Sequence, residues 1–264
     1  MSQSVLLSII IVTWNSEADI DSCLKSLTHA IQGLTNEIIV VDNVSKDKTV
    51  SIVSKVHPKV ILLRQKINWG FGQGNNIAIK QTIGKYILLL NPDTKVNPYA
   101  IKQMIAFLDK HPKTGVVGPE QFNGSGDTIF ITSRLSLIGI IEFTIEKIIR
   151  LITGKSIILF PWPHKTYMLN GGCIMARSTL LSNPQWFDPD CFIYGEEHYL
   201  FSKVKKKNWD VFFLRSCSII HYREKSIALT GNKWIFAKNS IVVHLKKTVL
   251  GKMISSIFVK NISS

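Results

Sequence analysis

A doubly wound, mostly parallel α/β sheet is the fold class that this 264-residue sequence predicts. Three observations carry it. Short, continuous apolar runs rich in Val and Ile recur through the first half, as expected of strands covered on both faces. Segments with helical apolar spacing separate them. The links between the two are short, which is the pattern of repeated βαβ units.

The elements follow in order. "LLSIIIVTW" (6–14) is the first strand, and residues 16–30 form a helix with Ile20, Cys23, Leu24 and Leu27 on one side. "NEIIVVDN" (36–43) is a strand, "KDKTVSIVSKV" (46–56) a helix and "KVILLRQ" (59–65) a third strand. "GNNIAIKQTI" (74–83) is a helix, "YILLLNPD" (86–93) a strand, "YAIKQMIAFLDKH" (99–111) a helix and "TGVVGPE" (114–120) a short strand. Residues 124–166 form an excursion with a basic, amphipathic helical pattern near 137–153. "YMLNGGCIMARSTLL" (167–181) reads as strand, Gly-Gly turn and strand. In 186–214 an acidic Pro turn leads to a helix starting at Glu196-Glu197 and then a strand; "SCSIIH" (216–221) ends on His221. Residues 232–264 have helical, basic spacing.

Composition narrows the class. A hydrophobic fraction of 45% suits a buried core and argues against disorder. The net charge is +14, and from Phe201 onward thirteen Lys or Arg stand against Asp210 and Glu224. Such an end attracts acidic lipid, nucleic acid or phosphorylated substrates, or serves as a solubilising surface. Nucleic acid is disfavoured, because neither a recognised module nor aromatic–basic interleaving on one face is present. The four cysteines form no C-x-x-C pair and read as reduced, mostly buried thiols of a cytosolic protein. The apolar start lacks a basic leader and reads as a core strand. No apolar stretch is long and charge-free enough to span a membrane.

Ligands of open α/β sheets bind beyond the carboxyl ends of the strands. Three polar clusters fall there: Thr13-Trp14-Asn15, Asp42-Asn43 and Asn91-Pro92-Asp93. Each alone is an acceptable turn; together they mark one rim. A nucleotide-sugar site needs a carboxylate for base or ribose, a role open to Asp42. It also needs ligands for a divalent cation on the diphosphate: Asp93 is one, with Asn91 to orient it or a metal-bound water, and His221, at another strand end, is the candidate second for a cation that accepts imidazole. It needs a base for the attacking hydroxyl, for which Glu196 and Glu197 are placed. "NWGFGQGNN" (68–76) resembles a glycine-rich phosphate loop, but Asn75 stands where a dinucleotide motif has its third glycine and the segment follows the third strand.

Taken in order, "SIIIVTWNS", "IIVVDNVSKDKT", "NWGFGQGNN", "LLLNPDT", "NGGCIMARSTLL", "FDPDCFIYGEE" and "IIHYREKS" resemble family 2 glycosyltransferases of GT-A fold, in particular the rhamnosyltransferase-like branch that builds bacterial surface polysaccharides. The resemblance runs from about Ser8 to about Ser226. It implies an inverting transfer of a sugar, rhamnose among the candidates, from a dTDP- or UDP-sugar to a glycan or lipid-linked acceptor, with Mn2+ or Mg2+. It places Asp93 at the metal and Glu197, supported by Glu196, as the base. Thr13, Asn15, Asp42, Asn68, Gly70, Phe71, Asn75, Asn91 and Asp93 are expected at the nucleotide sugar, and Asp93 with His221 at the metal. Gly195-Glu196-Glu197-His198-Tyr199-Leu200 departs from the family's Gly-Glu-Asp-Val-Asp-Leu, and "IIHYREKS" lacks glycines common after the His. The expected organisation is a transferase domain over 1–230 (nucleotide half 1–120, acceptor and catalytic half 121–230) and a basic helical extension over 231–264. The apolar–basic periods near 137–153 and 240–260 predict a cytoplasmic protein resting peripherally on the inner face of the membrane. The alternative is a non-catalytic sugar- or polyanion-binding protein on a transferase scaffold.

Overall fold

The computed structural model describes residues 4–129, 137–154, 162–192 and 196–222. The predicted extension at 231–264 lies outside them. In the first half, β1 (Leu7–Thr13), β2 (Asn36–Asp42), β3 (Ile61–Arg64) and β4 (Tyr86–Leu90) alternate with α1 (Ile20–Ala30), α2 (Thr49–Val56) and α3 (Gly70–Ile79). Then come β5 (Thr94–Val96), α4 (Ala100–Lys110), β6 (Thr114–Phe122) and α5 (Leu137–Thr153). β7 (His164–Thr166), β8 (Cys173–Arg177), α6 (Glu196–Lys206) and β9 (Asp210–His221) complete the described chain.

The strands form one sheet in the order β3-β2-β1-β4-β8-β6-β9-β5, with β7 paired to β9. β1, β2, β3, β4, β6 and β9 point one way; β5, β7 and β8 run against them. The sheet is therefore mostly parallel, as the sequence predicts. The chain order reverses between β1 and β4, so the rim above these strands is the switch point where α/β sheets bind ligands.

The continuous apolar runs are explained by burial on both faces. Leu7, Ile9 and Ile11 of β1, with Tyr86, Leu88 and Leu90 of β4, pack under α1 and α4. Ile10 and Val12, with Ile87 and Leu89, pack on the other face with α3 and α6 residues. All four cysteines are buried; burial pushes the Cys23 and Cys217 thiols up to about 12, so they are inert at neutral pH.

Several local expectations are corrected. α3 begins at Gly70, not Gly74, so most of the supposed glycine loop is its first turns. Gly70 has φ +75°, and a Cβ there would stand 2.0 Å from the Phe192 carbonyl oxygen. Its glycines serve close packing: a Cβ at Gly74 would meet Val12 Cγ1 at 2.8 Å. The segment before Gly171 is irregular rather than a strand, and β6 continues to Phe122 through an irregularity at Pro119/Glu120. The three-residue β5 has no counterpart in the prediction. Among the described residues no helix is long and apolar enough to cross a membrane.

Candidate active site

The site is built on two groups of strand ends. In the first, Asp42 is 2% exposed at the end of β2. Its Oδ1 accepts from Thr13 Oγ1 at 3.1 Å and from Ser45 Oγ at 2.5 Å, and its Oδ2 accepts from the Ser45 amide at 3.0 Å. Asn15 has φ 50°, and its side chain accepts from the Lys46 amide at 2.8 Å. Asn43 donates to the Gly70 carbonyl at 3.0 Å, tying this rim to the start of α3.

The residues expected from the 68–76 segment fall differently. Asn68 Oδ1 accepts from the Gly70 amide at 2.9 Å, and Phe71 meets Phe187 edge-on with ring centroids 5.9 Å apart. Asn75 is buried inside α3 and donates to the Phe71 carbonyl at 2.9 Å. Asn76, not singled out in the sequence, holds the Phe187 backbone through both amide atoms, each at 2.9 Å. These side chains order α3 and the Phe187–Phe192 segment against each other.

The second group lies above β4. β5 pairs antiparallel with β9 and sets Thr94 opposite His221. That pairing brings Asp93 Oδ1 to 3.2 Å from His221 Nε2. Asn91 Nδ2 is 3.2 Å from the same Nε2, and Asn91 Oδ1 is buried without a hydrogen-bond partner. On the other ring nitrogen, Gln121 Oε1 is 3.0 Å from His221 Nδ1, while Gln121 Nε2 donates to the Asn170 carbonyl at 3.5 Å. With the Gln121 amide oriented that way, Nδ1 donates to Gln121 Oε1 and Nε2 faces Asp93 and Asn91. A carboxylate oxygen and an imidazole nitrogen meet here, with the Asn91 side-chain amide beside them. That donor set fits a divalent cation that accepts mixed oxygen and nitrogen ligation. Among the described residues no group of three or more His, Cys, Asp or Glu side chains gathers.

The Gly171-Gly172 turn joins this pair to the acidic start of α6. The Gly172 carbonyl accepts from the Asn91 amide at 3.0 Å. A Cβ on Gly172 would stand 2.4 Å from His221 Nδ1. The Gly171 amide donates to Glu197 Oε1 at 3.2 Å. Glu197 is therefore held across one turn from His221. Its neighbour Glu196 is 4% exposed, and burial, then the Glu197 charge, pushes its carboxyl well above the usual range. Gly171, Gly172 and Gln121 were not foreseen as site residues. The only signals were the adjacent glycines before an apolar run and a Gln at the end of β6.

The protein-family comparison matches residues 8–183 to glycosyl transferase family 2. The chain belongs to glycosyl transferase family 2. The poly(ribitol-phosphate) beta-N-acetylglucosaminyltransferase TarS of Staphylococcus aureus is 35% identical over 108 residues, covering 39% of this chain and 19% of that protein. The chain therefore matches about a fifth of that relative's length. The N-acetylglucosaminyl-diphospho-decaprenol L-rhamnosyltransferase of Mycobacterium tuberculosis is 22% identical over 250 residues, covering 84% of this chain and 77% of that one. Among solved structures, S. aureus TarS 1-349 in complex with UDP-GlcNAc has TM-score 0.63 at 21% identity, covering 97% of this chain and 72% of that one. The mannosyltransferase PcManGT from Pyrobaculum calidifontis, in complex with GDP-Man and Mn2+, has TM-score 0.63 at 17% identity, covering 93% and 64%. The fold of this family 2 chain is thus that of the GT-A glycosyltransferases.

Proposed function

We propose that this family 2 glycosyltransferase is metal-dependent and inverting, and that it moves a sugar from a dTDP- or UDP-sugar to a hydroxyl of a glycan or lipid-linked acceptor. The observation that carries the reading is the Gly171-Gly172 turn, which sets the Glu197 carboxylate on one side and the Asp93–His221 pair on the other. Asp42 lies beside Thr13, and Thr13 lies one strand from the continuation of β4. β1 thus separates Asp42, at the end of β2, from Asn91, just beyond the end of β4. A nucleoside diphosphate laid across the switch point places its nucleoside at Asp42, Thr13 and Asn15 and its diphosphate at Asn91 and Asp93.

Bound by Asp93 and His221, Mn2+ or Mg2+ would supply charge neutralisation of the diphosphate. Gln121 and Gly172 fix the imidazole for that role. Glu197 accepts the proton of the acceptor hydroxyl. The hydroxyl oxygen bonds to the anomeric carbon, the carbon–oxygen bond to the diphosphate breaks, and the nucleoside diphosphate leaves with that electron pair. One displacement inverts the anomeric centre. Glu196, its carboxyl pushed up by burial, holds its proton over a wider pH range. The rhamnosyltransferase relative supports a deoxyhexose donor and a lipid-diphosphate acceptor; the TarS relative supports a UDP-sugar. A lipid-linked acceptor in turn places the protein on a membrane face.

A panel of dTDP- and UDP-sugars, tested by calorimetry and for slow hydrolysis with Mn2+, tests this reading. One donor is expected to bind and be hydrolysed in a chelator-sensitive manner. Binding of free glycan without any nucleotide sugar would establish the non-catalytic alternative instead.

A further inference from the structure

α5 is built inside out. Of its described side chains the only fully buried one is a carboxylate, Glu146 at 5% exposure, whereas Ile141, Ile145, Ile148, Leu151 and Ile152 are 41% to 79% exposed. A helix docked on a core buries its apolar stripe and leaves its charges in water. Here the polar side is the anchor. Arg215 of β9, 1% exposed, pairs with Glu146 and, at 3.2 Å, with Glu120 of β6. Farther along, Arg150 pairs with Asp127 and donates to the Ser125 carbonyl at 3.2 Å. The 17 residues make a rod of about 25 Å. Ile141, Ile145, Ile148 and Ile152 follow one another at spacings of three and four and so share a face, with exposed Lys147 beside it.

We infer that the outward face of α5 seats the protein on an anionic lipid surface, resting on the reading above that the acceptor is lipid-linked. Charge selects this occupant over a second copy of the chain. At +14, two copies repel, whereas anionic headgroups attract exposed lysines. Position supports it as well. Glu120, which shares Arg215 with α5, is followed by Gln121, which touches His221. The strand that carries Gln121 to His221 therefore also anchors α5, through Glu120 and Arg215. The helix carries charges and is short, so it lies in the interface.

The test uses the full chain with vesicles of phosphatidylglycerol and phosphatidylcholine, and with phosphatidylcholine alone. The wild type is expected to sediment with the anionic vesicles and to be released by high salt. The triple variant Ile148→Ser, Leu151→Ser, Ile152→Ser is expected to lose on the order of 100-fold in partitioning, with donor hydrolysis and melting unchanged. A single exposed thiol gives a second readout, because the four native cysteines are buried. A polarity-sensitive dye on Ile152→Cys should shift to the blue on anionic vesicles, and the same dye on Ser54→Cys, in α2 at the other end of the sheet, should not. Equal sedimentation of wild type and triple variant, or an unshifted dye at position 152, overturns the proposal. A doubled mass in sedimentation velocity that the triple variant abolishes, without vesicle binding, assigns the face to a second copy and also overturns it. Donor hydrolysis without acceptor reads the transferase assignment separately, so failure of one is distinguishable from failure of the other.

Discussion

Gly172→Ala tests the packing of the site with one methyl group. The new Cβ would stand 2.4 Å from His221 Nδ1, 2.5 Å from its Cε1 and 2.8 Å from Gln121 Oε1. Ordinary contact needs about 3.4 Å or more, so the ring must retreat by about 1 Å. It cannot do so and keep both the 3.0 Å contact to Gln121 and the 3.2 Å approach to Asp93. Overpacking costs about 1–3 kcal/mol and the lost hydrogen bond about 1 more. A displaced, disoriented imidazole is expected to weaken metal binding about 10- to 100-fold. Urea unfolding reads the first effect, and titration of Mn2+ by electron paramagnetic resonance reads the second. Two glycines serve as controls. Gly33 has φ +81° and open space around it, so Gly33→Ala costs about 1 kcal/mol of backbone strain and leaves Mn2+ affinity alone. Gly171→Ala meets only the mobile end of Glu197, at 2.6 Å, and is expected to disturb transfer more than metal binding. Wild-type stability and wild-type Mn2+ affinity in Gly172→Ala would refute the reasoning.

Asp93→Ala is expected to abolish chelator-sensitive donor hydrolysis while leaving the urea midpoint close to wild type; full activity would return Asn91-Pro92-Asp93 to an ordinary turn. Gln121→Leu is expected to lower Mn2+ affinity about 10- to 100-fold, because His221 loses the partner that fixes its proton; equal affinity would leave Gln121 as packing. Glu196 gives a pH signature. Its folded pKa is raised by burial, so between about 4.3 and that raised value the folded state holds more protons than the unfolded state, and this group makes stability fall as pH rises. Glu196→Gln removes that slope, so the variant should gain on the wild type between pH 5 and pH 8 in urea midpoints. A difference independent of pH contradicts the assignment.

The first half of the fold was legible because β1, β4 and the second half of β2 are buried on both faces and read as apolar runs. "YILLL" could scarcely be anything else. β5 was invisible: "TKV" has no periodicity of its own, and its pairing with β9 is decided by the rest of the sheet. That missing strand is also why Asp93 and His221, paired in the sequence reading only by chemistry and resemblance, needed the structure to bring them together. α3 began early because a run of glycines reads as a loop, whereas here each small residue admits a close neighbour, Val12 at Gly74 and Phe192 at Gly70. Asn75 looked like a rim residue for the same reason and is interior. Gln121 and the Gly171-Gly172 turn carry their meaning only through contacts distant in the chain. The outward face of α5 was legible as amphipathic, but the sequence does not say which side faces the sheet. The buried Glu146–Arg215 pair decides that.

The central claim is that Glu197 takes the proton of the acceptor hydroxyl beside a donor held by the other half of the site. The most direct measurement is donor binding by calorimetry together with a transfer assay on Glu197→Gln. The substitution keeps the acceptor oxygen that meets the Gly171 amide at 3.2 Å and removes the basic carboxylate. The account predicts an unchanged donor affinity and a transfer rate lower by about 10²- to 10⁴-fold. Full transfer by Glu197→Gln, with Glu196→Gln inactive, would contradict it.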